Sequence, residues 1–528
     1  MSIGLGDYSK YGNILSTIPM KKGTEKIIQA FFGGREDVII RAPAGTGKTF
    51  VAVAYALIEA LEGRRTAIFF RTKAELENAL GIAKTVIECA NISVDRGMIV
   101  PLAGRETMCL YGPREFERLP SFARPLYCLV MDCPVRFRRI LEAPVIYETL
   151  REYRGHISGY KACPYHTLLR LAKDARIIFA THPFFVQDEL FRYLGDLDTV
   201  VIDEAHSLNI VTYSISKDRY YEGRRIAEEV YGRARQSGER GVVKRWIQEN
   251  WAFERNKIIL FEEYKFFRQR QGEIVFYGEE MIKVLPPRNL LQARREHVGR
   301  FVVMSATLYP LGMIKKLWGI QKTVVAGKLI QRTKNRLYVA LVIEGLTTRL
   351  EKRDARLYRA IASLIRYINR IAPDKLVVVF CVSKDFAKNI ADLLGKDVVS
   401  DPNKVGSIED NLIITYARGK LSEGIDAIAG RNPDVVVAIG LPYPAVDKRF
   451  LRITRKVAEI IGVDRDQFVR DYMNSEMIGA LVQLLGRAGR RKKGLCIIID
   501  ERAVIFPDIP FVTNTISLKD VIERFFGG

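Results

Sequence analysis

Short, almost uninterrupted apolar runs recur along the chain, and stretches with helical spacing separate them. Residues 37–40, 66–70, 176–180, 199–202 and 301–304 read as buried strands of one sheet. Residues 376–381, 411–415, 435–439 and 495–499 read as buried strands of another. Strands that are apolar on both faces belong to parallel sheets covered by helices, so the pattern predicts an α/β architecture. Residues 51–61 predict a helix of good helix formers, and Leu357, Ile361, Leu364, Ile365 and Ile368 fall on one helical face. Two stretches break the rhythm. Residues 109–163 are rich in proline and arginine with weak periodicity, as expected of an insertion held by something other than a large core. From 207 to 298 charged helical segments carry interleaved aromatics (Tyr220, Tyr221, Trp246, Trp251, Tyr264, Phe266, Phe267), which predicts a largely helical insertion whose aromatics are mostly core.

Composition narrows this picture. The 528 residues correspond to three or four domains at about 150 residues each. Hydrophobic residues make up 48%, enough for sizeable cores. No apolar run reaches the length of a membrane span, and the first twenty residues lack a basic-then-apolar leader pattern, so an intracellular protein is expected. The formal net charge of +22 favours a polyanionic partner, although a generally cationic solvated surface gives the same excess. Seven cysteines in such a chain point to metal or core roles rather than disulfides.

The strand at 37–40 runs into Arg41-Ala42-Pro43-Ala44-Gly45-Thr46-Gly47-Lys48-Thr49. Its last part fits the phosphate-binding loop, with Ala42 at the first glycine position. Backbone N–H groups of Ala44, Gly45, Thr46 and Gly47 and the following helix terminus suit a nucleotide's phosphates. Lys48 supplies a point charge to the β- and γ-phosphates and Thr49 a hydroxyl to Mg²⁺. Asp203-Glu204-Ala205-His206 follows the strand at 199–202. There Asp203 suits Mg²⁺, Glu204 the attacking water, and His206 completes the nucleotide site. In the second α/β half, Gln483-Leu484-Leu485-Gly486-Arg487-Ala488-Gly489-Arg490 places two arginines on one helical face, suited to charge on a γ-phosphate. The adjoining Arg491 to Lys493 would equally suit nucleic acid or solvent. Residues 418–426, with Gly424 and Asp426, suit a loop that approaches a ligand closely. Cys109, Cys128, Cys133 and Cys163 stand in the proline-rich insertion, and four thiolates hold either a tetrahedral zinc or a 4Fe–4S cluster. Cys89, Cys381 and Cys496 are read as small buried apolar residues.

The order of these features resembles the superfamily 2 iron–sulfur helicases of the XPD/DinG group, from about residue 37 to 502. Its most specific parts are Cys163-Pro164-Tyr165, Arg105 four residues before Cys109, and residues 417–426 with Gly440-Leu441-Pro442-Tyr443. The resemblance implies two RecA-like motor domains with ATP bound between them. The first motor would comprise 1–104, 167–206 and 299–324, interrupted by an iron–sulfur domain at 105–166 and an arch at 207–298. The second motor would be 325–528. Carried over residue by residue, Cys109, Cys128, Cys133 and Cys163 would ligate a 4Fe–4S cluster. Arg71 and Thr72 would face nucleic acid, Arg105 would steady the cluster domain or touch DNA, and Gln483, Arg487 and Arg490 would complete the ATP site. Single-stranded DNA would thread through the molecule, usually 5′→3′, and forked DNA would be the substrate of a monomer working in DNA repair. Partner proteins in repair or transcription are expected. A DNA-dependent structural ATPase and an RNA helicase are the alternative readings. Two features differ from the family: no glutamine stands in Pro19 to Thr24, where an adenine-reading one is usual, and the arch is shorter than in many members.

Overall fold

A computed structural model describes residues 10–110, 119–120, 123–130, 133, 135, 144, 146–237, 241–330, 335–400, 411–419, 421, 433–488, 493–506 and 509–527. The chain divides into two compact units. The first comprises Met1–Ser305, Gly312–Ala326 and Val446–Phe468; the second comprises Ala306–Leu311, Gly327–Ala445 and Val469–Gly528. The motor boundary read from the sequence falls at 325, whereas residues 446–468 cluster with the first unit.

In chain order the first unit contributes β1 (Val38–Arg41), β2 (Thr66–Phe70), β3 (Ile99–Leu102), β4 (Ile177–Thr181) and β5 (Leu197–Ile202). An insertion with β6 (Val211–Ser216), β7 (Glu273–Tyr277) and β8 (Glu280–Leu285) follows, then β9 (Val298–Ser305) and β10 (Thr323–Val325). Seven of these form one parallel sheet, ordered β10-β1-β9-β5-β2-β4-β3. Val38 to Ile40 and all of β2 and β4 are buried, as both covered faces require. Proline is tolerated at Pro101 because β3 is the edge strand.

Helix Lys48–Leu61 is buried from Val51 to Ala60, and its alanines let it lie close to the sheet. Helix Thr24–Phe32 ends on Arg300 of β9. That guanidinium is 1% exposed and donates to the carbonyls of Ala30 and Phe31, both at 2.7 Å, and of Glu36 at 2.9 Å. A cation at the helix's carboxyl end satisfies carbonyls that have no partner within the helix.

The insertion is helical, as its composition predicts, in Lys217–Ser237, Val242–Asn250 and Arg255–Gln269. It also contains a three-stranded antiparallel sheet, β6-β8-β7, which the sequence reading missed. Trp246, Phe261 and Tyr264 are core, and the same cluster takes in Leu119, Ala123 and Leu126 of the proline-rich stretch. That stretch is therefore anchored, in its described part, by the arch's core.

The second unit holds a six-stranded parallel sheet of β11 (Arg336–Leu341), β12 (Val377–Cys381), β13 (Leu412–Tyr416), β14 (Val435–Ile439), β15 (Gly494–Ile499) and β16 (Phe511–Val512). Its order is β13-β12-β14-β15-β11-β16. Helix Ala355–Ile371 buries Leu357, Ile361, Leu364, Ile365 and Ile368, the face its spacing predicts. Asp354 caps its start by accepting from Leu357 N at 2.8 Å.

Candidate nucleotide and nucleic-acid sites

Because every pair in the first sheet is parallel, all its carboxyl ends open on one side. The order β1-β9-β5-β2-β4 therefore sets the segments after these strands beside one another: the phosphate loop, Ser305, Asp203-Glu204, Arg71-Thr72 and His182. Gly45 and Gly47 adopt φ of 80° and 84°, backbone that favours glycine, and Gly47 opens helix Lys48–Leu61. Lys48 is buried, its ammonium donating to the carbonyls of Ala42 at 3.0 Å and Pro43 at 3.3 Å. The loop is clamped from behind by Thr24, whose hydroxyl donates to Thr46 O at 2.9 Å.

Thr49 donates to Asp203 Oδ2 at 2.7 Å, across 154 residues of sequence. Glu204 follows in left-handed backbone, φ 48°. Its carboxylate accepts from the Ser305 hydroxyl at 3.1 Å and lies 3.2 Å from His206 Nδ1, which is itself 2.9 Å from Ser305 Oγ. Behind this network His182 Nε2 donates to the Asp203 carbonyl at 2.9 Å. The environments of the two carboxyls differ. Burial, and then the charge of Glu204, push Asp203 up against the pull of Lys48 and Thr49. Burial also opposes ionisation of Glu204, but the His206 hydrogen bond and the Lys48 charge outweigh it and hold Glu204 well below the usual carboxylate range. His182 is pushed down to about 4 by burial, so its imidazole is neutral at pH 7. The carboxylate oxygen of Asp203 and the Thr49 hydroxyl are hard donors suited to Mg²⁺. Ser305, His182 and Thr24 are the members that sequence reasoning left without a role.

A basic groove of about 730 Å³ lies elsewhere in the first unit. Lys73, Arg105, Arg124, Lys173, Arg192, Lys265 and Arg270 line it, with Glu106, Glu189 and Glu262 as counter-charges and Tyr165, Phe184, Tyr193 and Phe266 as aromatic wall. The Arg105 guanidinium stands 4.2 Å from the Tyr165 ring centroid, and that of Arg270 4.0 Å from Phe266. Arg105 lines the groove. Arg71 and Thr72 do not line it: Arg71 approaches Glu75 at 3.7 Å, and Thr72 caps helix Lys73–Ala90 with Glu75 in a reciprocal capping box. A smaller pocket of about 200 Å³ shares Arg105, Tyr165, Lys173 and Tyr193 and adds His166 and Arg170.

Comparison with known proteins bears on the fold. Residues 396–505 match the helicase C-terminal domain family. The ATP-dependent DNA helicase XPD of Sulfolobus acidocaldarius is 23% identical, the match covering 87% of this chain and 91% of that relative. Among solved structures, an XPD helicase superposes with a TM-score of 0.65 at 19% identity, over 94% of this chain and 100% of that one. Xpd4 of S. tokodaii superposes at 0.52 with 15% identity, over 93% and 99%. The chain has the XPD helicase fold.

In this XPD-like chain the cysteines divide into two groups. Cys109 closes the short helix Arg105–Met108, Cys128 lies in helix Arg124–Val130, and Cys163 precedes helix Pro164–Leu171 with its N–H on Val135 O at 3.0 Å. Burial pushes the Cys163 thiol up against a backbone hydrogen bond from His166, and Cys128, Cys109 and Cys133 push it the same way as burial. Among the described residues no three His, Cys, Asp or Glu side chains are gathered as around a single bound metal ion. Four thiols are a donor set that suits either a tetrahedral zinc or a 4Fe–4S cluster. Cys381 and Cys496 are buried in the second unit's cores, as expected, and burial pushes Cys496 up to about 12. Cys89 is a correction: it is exposed, near the end of helix Lys73–Ala90.

In the second unit, helix Arg465–Leu485 carries the half-buried Gln483, and Arg487 just beyond it is buried. Gly424, Asp426 and Arg490 lie outside the described residues. Gly440, at φ 83°, must be glycine: a Cβ there would come within 2.1 Å of the Thr348 hydroxyl. No helix among the described residues is long and apolar enough to cross a membrane.

Proposed function

We propose that the chain is an ATP-dependent DNA helicase that translocates on single-stranded DNA, 5′→3′, in DNA repair. The observation that carries the reading is the Thr49–Asp203 hydrogen bond at 2.7 Å, which brings a phosphate loop and an acidic pair together at one sheet end. In this scheme Lys48 neutralises the β- and γ-phosphates, and Thr49 and Asp203 hold Mg²⁺. Glu204, kept ionised by His206 and Lys48, orients and deprotonates the attacking water. Ala44 to Gly47 cradle the phosphates. Gln483, Arg487 and Arg490 stabilise charge developing on the γ-phosphate, with Gly424 and Asp426 on the nucleotide side.

The groove supplies the polyanion's path. Its cations outnumber its carboxylates, and its aromatics can stack unpaired bases. Cys109, Cys128, Cys133 and Cys163 would hold a 4Fe–4S cluster, which when bound would cross-link the segments that carry them. The domain they belong to would meet the duplex junction.

The deciding experiment is strand displacement on forked duplexes of both polarities with ATP and Mg²⁺. Displacement only with a 5′ loading strand is expected; hydrolysis without displacement on either fork makes the chain a structural ATPase instead, and stimulation of hydrolysis by RNA alone makes it an RNA helicase. Iron near four per chain and a broad visible absorbance are expected of anaerobically purified protein. Stoichiometric zinc without iron would overturn the cluster.

A further inference from the structure

Helix Lys448–Ile461 belongs by sequence to the second α/β half, yet it packs within the first unit: the chain leaves the second unit after Ala445 and rejoins it at Val469. The helix is a well-bounded rod. Asp447 caps its start by accepting from Phe450 N at 2.6 Å, and Gly462, at φ 71°, ends it in left-handed backbone. It lies against β7 and β8 of the arch's small sheet. Three cations, at positions 449, 452 and 456, meet the hairpin. Lys456 Nζ is 2.6 Å from Glu273 Oε2 on β7, Arg449 donates to Glu280 Oε2 on β8 at 3.0 Å, and Arg452 donates to the Phe276 carbonyl.

The hairpin leads on to the basic groove. Lys283 of β8 is buried, and its ammonium donates to the carbonyl of Arg268 at 3.1 Å and to that of Arg270. Arg270 in turn lays its guanidinium over Phe266, and both line the groove. Ion pairs from the helix, the paired strands β7 and β8, the Lys283 hydrogen bonds and the Arg270–Phe266 cation–π contact therefore link a helix embedded in the second motor's sequence to one wall of the groove.

We propose that helix Lys448–Ile461 is a coupling strap: it carries displacement of the second motor's chain through β7 and β8 to the Arg270–Phe266 wall, so that nucleotide turnover changes the grip on the strand. Arg449 and Lys456 are then positioning residues, remote from both sites. The inference rests on the helicase reading above. A passive brace would need only the buried face of Ile453, Val457 and Ile461. Ion pairs as exposed as these hold weakly and are screened by salt, which suits a joint that yields and re-forms within a cycle.

The test uses the full chain with Arg449→Glu and Lys456→Glu together, and a second variant that adds Glu273→Lys and Glu280→Lys to restore the pairing with signs exchanged. Three quantities are read: ATP hydrolysis, duplex displaced per ATP on a fork, and hydrogen exchange of residues 273–285 with and without a non-hydrolysable ATP analogue. In the charge-reversed variant, hydrolysis stays within about twofold while displacement per ATP falls about fivefold, a mid-range coupling for a contact network of this kind. The exchanged pairs recover most of it. In the wild type the analogue alters exchange in 273–285, and the reversed variant loses that response. Unchanged displacement per ATP, or a fall that the exchanged pairs do not recover, overturns the strap. A wild type that hydrolyses ATP but displaces no strand overturns the helicase reading, and the exchange response then decides the strap by itself.

Discussion

The nucleotide site and the basic groove lie in the same unit but are built on opposite plans. At the sheet's carboxyl edge, side chains from segments that follow parallel strands meet at 2.7–3.1 Å, with Asp203 and Ser305 buried and Thr49, Glu204 and His206 half-buried. The groove draws long cations and aromatics from segments as far apart as Lys73 and Arg270, held by cation–π contacts and by hydrogen bonds such as Arg124 to Glu106 at 3.2 Å and Arg270 to Gln187 at 3.4 Å. The first plan fixes geometry through strand register and suits chemistry, where about an ångström of misplacement costs orders of magnitude. The second suits a polyanion that must slide, because no single contact is deep enough to arrest it.

That contrast makes graded predictions. Lys48→Ala should break the nucleotide site outright, lowering kcat for ATP hydrolysis by about a thousandfold. A steady-state assay with saturating DNA checks this, and unchanged hydrolysis would remove the loop from the chemistry. Next comes acid sensitivity. His182 is held neutral in the folded protein, with its value pushed down to about 4, while in the unfolded chain it takes a proton near 6.5. The unfolded state therefore binds the extra proton first, and stability is lost as pH falls from about 6.5 towards about 4, by at most about 3 kcal/mol. Urea unfolding of wild type and His182→Gln at pH 7, 5.5 and 4.5 should show that slope shrinking in the variant.

The groove should respond more gently. Arg105→Ala is expected to weaken single-strand binding about tenfold at 0.1 M salt and to reduce the slope of log affinity against log salt by about one. ATP hydrolysis at saturating DNA should hold. A collapse of hydrolysis there would erase the distinction between the two sites. The smallest effect falls between them: Thr72→Ala removes a helix cap and costs about 1 kcal/mol of stability. Its DNA affinity, read by fluorescence anisotropy, should stay near wild type; a large loss would return Thr72 to the nucleic-acid contacts inferred from sequence.

Much of this architecture was legible in the chain for a physical reason. Strands covered on both faces must be apolar throughout, so β2, β4, β12 and β14 stand out as uninterrupted runs. The hairpin β7–β8 did not stand out, because it lies in a charged stretch and buries Lys283 among its apolar residues. β3 was obscured by Pro101, which only its edge position allows, and β16 is two residues long. Within the nucleotide site, Lys48, Thr49, Asp203 and Glu204 declared themselves through contiguous motifs. Ser305 joins them only once β9 is known to lie between β1 and β5, and His182 only once β4 is known to lie one strand beyond β5, across β2; strand order is set by long-range packing. Cys89 was misassigned because a lone thiol carries no sign of whether its helix turns it inward.

Helix Thr24–Phe32 gives the phosphate loop a fixed yardstick. One end is clipped to Thr46 through the Thr24 hydroxyl, the other to β9 through Arg300 at the carbonyls of Ala30 and Phe31, within one nine-residue helix. Each residue advances a helix by about 1.5 Å and turns it by about 100°. A single insertion or deletion in this segment would swing one clip to the wrong side, while many exchanges on its outward face would leave both engaged. Here the chain tolerates a change of letter far better than a change of count.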